Sequence, residues 1–173
     1  MNITDINNQI KNKAIEARIE DMCNMFPGKV VFTTSFGMED QVITDIIYSN
    51  NLPVKVATLD TGRMFEETYK VFSRTRERYG KKIEVYYPDT KAVEKLMTTK
   101  GPFSFYESAE NRIECCNIRK VEPLRRALKG YKCWITGIRQ EQSAERRHMQ
   151  EIEWDPTHNL YKMSPLYEWT LDE

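Results

Sequence analysis

The stretch KVVFTTSFGMEDQVITDIIYSN, from Lys29 to Asn50, decides the fold predicted for this chain. Its first part, KVVFTTSF, is a short run rich in β-branched residues, which is typical of a strand buried on both faces. Its second part predicts a helix, because four aliphatic residues fall on one helical face: Val42, Ile43, Ile46 and Ile47. A buried strand that leads directly into an amphipathic helix is the repeating unit of an α/β protein.

The same alternation extends in both directions from this stretch. Further strands are predicted in PVKVATLD, KIEVYYP and KCWITGIR, with two short ones around Trp154 and Tyr161. Helices are predicted over residues 5–25, over 65–80 with Phe65, Tyr69 and Phe72 facing inward, over 91–99, through the segment ECCNIRK, and from Pro123 onward. We therefore predict an α/β fold with a doubly wound, mostly parallel sheet, in a single domain over residues 1–173.

Composition excludes several classes of function. The chain has 26 basic and 26 acidic residues, so no overall field favours nucleic acid or a membrane surface as a partner. No apolar stretch approaches the length of a membrane span, and MNITDINNQI is too polar for a signal peptide. These features predict a cytoplasmic protein, whose four cysteines are thiols or metal ligands rather than disulfides.

Adjacent cysteines, Cys115 and Cys116, are the most unusual local feature. Neighbouring thiols are poorly suited to a disulfide, because bridging them needs a strained ring. They suit a metal cluster whose ligands come from one helix end, and the following Arg119 and Lys120 would offset thiolate charge. Two buried free thiols are the alternative interpretation. Cys23 and Cys133 lie in apolar patterns and are predicted to be core residues.

Two polar loops follow the first two predicted strands. Ser35 to Gly37 lie where a strand meets a helix, so backbone N–H groups there can face an anion. Asp60, Thr61 and Gly62 occupy the corresponding place after the next strand, where Asp60 could accept bonds from a ribose or an adenine. Ligands of open parallel sheets bind at these strand ends. A capped turn is the plain alternative for each loop.

A basic loop follows the strand KCWITGIR. The segment TGIRQEQSAERR contains Arg139, Arg146 and Arg147 with Gln142 and Ser143. Guanidinium groups bind phosphate and sulfate through paired hydrogen bonds, so this loop predicts an anion site at the same sheet edge. A solvated charged loop is the alternative.

Four motifs occur in an order that resembles the adenylylsulfate and phosphoadenylylsulfate reductases of assimilatory sulfate reduction: SFGMEDQV, LDTG, CCNIRKVEPL and WITGIRQEQSAER. The resemblance implies an adenine nucleotide α-hydrolase-like fold. It implies reduction of an activated sulfate to sulfite and an adenosine nucleotide, with thioredoxin or glutaredoxin as the reductant. It leaves a homo-oligomer open.

The resemblance also implies which residues bind the substrate. They surround the phosphosulfate and the adenosine, and they are Ser35, Phe36, Gly37, Leu59, Asp60, Thr61, Gly62, Arg119, Lys120, Gly137, Arg139, Gln142, Ser143 and Arg146. Cys115 and Cys116 match the first half of a [4Fe-4S] site that is found in members preferring adenylylsulfate, so the pair favours that substrate over the 3′-phosphorylated one.

The family's second pair of cluster cysteines (CxxC) and its nucleophilic tail cysteine have no counterpart in the sequence, which ends at Glu173. We therefore expect a domain that lacks the family's C-terminal segment, with no catalytic residue of its own and no activity alone. A complete cluster needs four protein ligands. Two other classes stay open: a non-catalytic nucleotide-binding module, and another enzyme of this fold such as an ATP sulfurylase subunit. The latter would be expected to carry an SGGxDS-type loop, which SFGMED is not.

Overall fold

The structure is a computed structural model, which describes residues 2–146 and 149–172. Within these ranges the strands are β1 Val30–Thr34, β2 Lys55–Leu59, β3 Glu84–Tyr86, β4 Cys133–Ile135, β5 Ile152–Asp155 and β6 Leu160–Met163. The helices are α1 Ile3–Ile10, α2 Ile15–Met25, α3 Met38–Ser49, α4 Glu66–Tyr79, α5 Thr90–Lys100, α6 Ala109–Cys116 and α7 Glu122–Leu128.

All six strands belong to one sheet, in the order β3-β2-β1-β4-β6-β5. Every neighbouring pair is parallel except β5 with β6, which is antiparallel. The strand β1 is central, because Phe32 pairs with Val56 of β2 on one side and with Ile135 of β4 on the other. The predicted mostly parallel α/β sheet is confirmed.

The side chains of β1 alternate between two cores, as those of a strand covered on both faces must. Val30 and Phe32 belong to the larger core, where they pack with apolar residues of α1, α2 and α3. Val31 belongs to a smaller core on the opposite face, together with Leu128 of α7. Helices therefore cover both faces, and the sheet is doubly wound as predicted.

Two helix boundaries differ from the prediction. The single helix expected over residues 5–25 is two helices, because the chain turns at Asn12, whose φ is +65°. Asparagine is one of the few residues that tolerates this left-handed conformation. The helix expected to start at Pro123 instead continues from α6 through a π-helical turn at Asn117–Val121. Single π turns of this kind often occur at functional sites.

Two aromatic side chains of α4 and its N-cap are not in the core. Phe65 is 79% exposed and Tyr69 is 41% exposed, so the prediction that they face inward is wrong. Phe72 does pack against the larger core. No helix in the described ranges is both long and apolar enough to cross a membrane.

Candidate functional site

A cleft of about 590 Å³ opens at the carboxyl ends of β1, β2 and β4. Open parallel sheets bind their ligands at this edge, because the strand-to-helix loops leave a crevice there. The lining comprises Thr33, Thr34, Ser35, Glu39, Asp40, Leu59, Thr61, Arg63, Met64, Phe65, Thr68, Lys120, Trp134, Thr136, Gly137, Ile138 and Gln142. Of the predicted substrate-binding residues, this lining contains Ser35, Leu59, Thr61, Lys120, Gly137 and Gln142.

The loop after β1 is held in one shape by its own residues. Phe36 has a φ of +65°, an uncommon value for a residue with a side chain. Its N–H donates to Oγ1 of Thr34 (2.9 Å), and its ring stacks on Phe72 at 4.9 Å. Phe36 is therefore an anchor, buried beneath the loop, while Ser35 faces the cleft. Gly37 caps the N-terminus of α3.

Asp60 shapes the loop after β2 rather than facing the cleft. It is 3% exposed, and its Oδ1 accepts a bond from the N–H of Gly62 (2.8 Å). Its Oδ2 accepts a bond from the hydroxyl of Tyr69 (2.7 Å). The predicted contact of Asp60 with a ribose or an adenine would compete with these two bonds. Leu59 and Thr61, on either side, do line the cleft.

Two cations, Arg119 and Lys120, lie beside this loop in the π-helical turn. Arg119 is only 7% exposed, yet it forms no ion pair within the described part of the chain. Its Nη1 donates to the carbonyl of Thr61 (2.7 Å), its Nη2 contacts Sδ of Met97 (3.5 Å), and its Nε has no described partner. Lys120 lines the cleft, is exposed, and also lacks a described ion-pair partner. Because a buried charge is normally paired, the unpaired guanidinium of Arg119 within the described residues favours an anionic ligand nearby.

The predicted anion-binding arginine of the last loop, Arg139, is already neutralised. Its Nε donates to Oε1 of Glu39 (2.9 Å), and its Nη1 bonds to Glu141 and to the carbonyl of Trp169 (3.3 Å). Bonding to its own backbone N–H, and then to Arg139, lowers the pKa of Glu39. Arg139 is buried and does not line the cleft, so its predicted substrate contact would require it to leave these carboxylates.

The rest of this loop is built around Gln142. Its Nε2 donates to Glu39 (3.0 Å), and its Oε1 accepts a bond from Nη1 of Arg146 (2.9 Å). The N–H of Ser143 donates to the carbonyl of Gln140 (3.4 Å). Gln142 alone of the three predicted residues Gln142, Ser143 and Arg146 lines the cleft. Arg147, predicted in the same cluster, lies outside the described residues.

The four cysteines fall into two classes. Cys115 is half-buried and Cys116 is exposed, both at the end of α6. Cys23 and Cys133 are core residues, as predicted, and burial raises the pKa of Cys23 to about 11 and that of Cys133 further still. None of the four lines the cleft.

The donor set for a cluster is incomplete in the described part of the chain, where no group of three or more His, Cys, Asp or Glu side chains could hold a metal ion. Cys115 and Cys116 fit two of the four thiolates that a [4Fe-4S] cluster requires. Cys23 and Cys133 do not fit the other two places, because both lie in the larger core.

Several cleft residues were not predicted from the sequence. Arg63 lines the cleft, with its guanidinium 4.7 Å from the ring centroid of Phe105. Trp134 does so too, and its indole N–H donates to Oγ1 of Thr33 (2.8 Å). Thr136 also lines the cleft. The sequence signal that could have identified Arg63 and Thr136 is their position, because Arg63 directly follows the LDTG loop and Thr136 directly follows β4.

Comparison with solved structures identifies the fold. The chain aligns over 98% of its length with a solved phosphoadenylyl-sulfate reductase from Candida auris in complex with phosphate, covering 80% of that chain at 25% identity and a TM-score of 0.82. Yeast FAD synthetase shares the fold at 15% identity and a TM-score of 0.51. The fold is thus of the adenine nucleotide α-hydrolase-like class.

Sequence relatives define the family. The phosphoadenosine phosphosulfate reductase domain matches residues 29–173, so the chain belongs to that family. Proteins named adenosine 5'-phosphosulfate reductase from two strains of Sinorhizobium fredii are 46% and 41% identical, over 84% and 96% of this chain. One from Allochromatium vinosum is 42% identical over 83% of it. The chain covers 58%, 66% and 56% of these relatives, which is less than two thirds of their length.

Proposed function

We propose that the protein to which this chain contributes reduces adenylylsulfate, or its 3′-phosphorylated form, to sulfite and an adenosine nucleotide. The observation that carries the proposal is the cleft at the ends of β1, β2 and β4, which is lined by the Ser35 loop and by Lys120, a lysine without an ion-pair partner among the described residues. Relatives at 41–46% identity that are named adenosine 5'-phosphosulfate reductase favour the form without a 3′-phosphate. Four unpaired thiols support a reducing compartment, the cytoplasm.

The cleft offers different chemistry on its two sides. In the proposed complex the phosphosulfate lies between Ser35, at the N-terminal end of α3, and Lys120. The neighbouring guanidinium of Arg119 adds positive charge, because no described carboxylate offsets it. The adenosine lies along Leu59 to Gly62, where the apolar side chains of Met64 and Phe65 also line the cleft. Charged donors at one end and an apolar wall at the other suit a nucleotide with an anionic terminus.

The proposed reaction needs a thiolate that the described cleft does not contain. A cysteine thiolate would attack the sulfonyl sulfur, forming an S–S bond while the S–O bond to the nucleotide phosphate breaks. A thioredoxin or glutaredoxin dithiol would then attack the cysteine sulfur, release sulfite and close to a disulfide as the cysteine thiol is regenerated. Because no cysteine of this chain lines the cleft, the nucleophile would come from another segment or molecule, and this chain alone would be inactive.

Cys115 and Cys116 would hold a [4Fe-4S] cluster together with two thiolates from outside this chain. Their position one helical turn before Arg119 and Lys120 would let those cations offset the cluster's negative charge. A cluster bound there would fasten the end of α6 to whichever segment supplies the other ligands.

A non-catalytic nucleotide-binding module is the second candidate, and one observation favours it for this chain in isolation. Binding groups line the cleft, but the four cysteines of the chain lie elsewhere. An ATP sulfurylase-like activity is less well supported, because the loop SFGMED lacks the SGGxDS pattern.

The deciding experiment measures sulfite release and covalent modification. We expect this chain to bind adenylylsulfate, to release no sulfite in the presence of reduced thioredoxin, and to show no sulfonate adduct by intact mass. We expect the full-length protein to release sulfite and to form the sulfonate adduct, because it would supply the missing thiolate. Failure of the full-length protein to release sulfite from either nucleotide would refute the proposed reaction, and an adduct on Cys116 would refute the proposed origin of the nucleophile.

A further inference from the structure

Asp40, in the first turn of α3, connects the loop after β1 to the loop after β4. Its side chain is nearly inaccessible, since the residue is 7% exposed. One carboxylate oxygen, Oδ2, accepts bonds from both the backbone N–H (2.5 Å) and the hydroxyl (2.7 Å) of Ser35. Two donors from one residue converge on that oxygen, so the position of Ser35 depends on this carboxylate.

The other carboxylate oxygen faces Gly137. A Cβ built on Gly137 would lie 2.3 Å from Oδ1 of Asp40 and 3.3 Å from its backbone nitrogen. Real Cβ atoms do not approach oxygen this closely, so only glycine lets the β4 loop rest directly against the carboxylate. The close approach to Asp40 therefore explains why position 137 requires a glycine.

A carboxylate is a costly group to keep at this place. Burial is the main cause that raises the pKa of Asp40, the bonds from Ser35 oppose it, and the negative charge of Glu39 adds to the increase. No described lysine, arginine or histidine forms an ion pair with Asp40. Because burying an unpaired charge opposes folding, the free energy of folding alone does not explain the group.

An amide would reproduce these contacts less well, because its oxygen carries no full negative charge and only one of its two ends accepts. If asparagine turned its oxygen toward Ser35, its NH₂ would take the place of the oxygen that faces Gly137. If it turned its NH₂ toward Ser35, two donors would face each other. Either oxygen of a carboxylate can accept, and each carries negative charge, so the carboxylate is the stronger acceptor for the two donors of Ser35.

We propose that Asp40 is a positioning residue that sets the spacing between the Ser35 loop and the Gly137 loop, and thereby the width of the cleft where the phosphosulfate binds. The identity of the ligand rests on the proposed function. The coupling between the two loops rests on the geometry of Asp40 alone, so the two parts can fail separately.

The first test uses Asp40→Asn, with Asp45→Asn on the same helix as the matched control. Calorimetry should show adenylylsulfate binding weakened by about tenfold or more in Asp40→Asn, with adenosine affinity nearly unchanged. Hydrogen exchange in a peptide spanning residues 33–38 should accelerate, because the Ser35 N–H loses its charged acceptor. Asp45→Asn should behave as the parent in both measurements.

The second test is a double-mutant cycle between Asp40→Ala and Gly137→Ala. When Asp40 is present, the methyl group that Gly137→Ala introduces would displace the carboxylate, so this single variant should bind adenylylsulfate more weakly. With Asp40→Ala the methyl gains room, and the double variant should lose less affinity than the product of the single losses, by about fivefold or more. A cycle without coupling would show that the two loops are set independently.

The outcomes separate the two parts of the proposal. Asp40→Asn with parental exchange and parental affinity would overturn the positioning role while leaving the proposed function intact. If Asp40→Asn accelerates hydrogen exchange in residues 33–38 but the parent chain does not bind adenylylsulfate, the coupling is supported and the proposed ligand is overturned.

Discussion

Replacing Phe32 with alanine is expected to lower the free energy of unfolding by about 3–5 kcal/mol. Phe32 is fully buried in the central strand, and it pairs with neighbours on both sides within the larger core. Removing its ring would leave a cavity that β1, fixed by β2 and β4, has little freedom to close. Urea unfolding followed by circular dichroism measures the change.

The matched control is Phe65→Ala, because Phe65 is 79% exposed at the mouth of the cleft. Surface substitutions of this kind usually change stability by no more than about 0.5 kcal/mol. Equal losses in the two variants would mean that β1 does not lie at the centre of the sheet.

Replacing Lys120 with methionine is expected to weaken adenylylsulfate binding by about 10- to 100-fold, which corresponds to roughly 1.5–3 kcal/mol for a lost charged hydrogen bond. Methionine keeps most of the stem but removes the ammonium group, which has no described partner other than the proposed ligand. Adenosine lacks the phosphosulfate, so its affinity should change little. Isothermal calorimetry with both ligands measures the difference.

Lys129→Met provides the control for net charge, since Lys129 is an exposed lysine that lines a separate groove beside the carboxyl end of α7. It should leave the affinity for both ligands unchanged. If Lys120→Met weakens adenosine as much as adenylylsulfate, the lysine does not act on the anionic end.

The sequence was sufficient to predict the sheet because the pattern of β1 is unambiguous. A β-branched run without alternating polar residues has to be covered on both faces, which requires a parallel sheet between helices. The break between α1 and α2 was not predictable from the same periodicity, because Ile6, Ile10, Ile15 and Ile19 are all buried and keep a nearly helical spacing across the turn. Only the backbone at Asn12 interrupts it.

The candidate site was predictable in its location but not in its pairings. Strand ends mark the cleft, so Ser35, Thr61 and Gly137 could be placed there from the motif order. The partner of Arg139 is Glu39, which lies 100 residues earlier, and only the fold brings them together. Sequence patterns show that a residue is charged, but not which charge it faces.

The central claim is that an anionic adenine nucleotide binds at the carboxyl ends of β1, β2 and β4. Titration of ¹⁵N-labelled chain with adenylylsulfate, followed by amide chemical shifts, tests it most directly. The account predicts that the largest shifts occur at Ser35, Thr61 and Gly137, on the three loops that surround the cleft. Shifts confined to the groove around Lys129 and Lys132, or no saturable shifts at all, would contradict it.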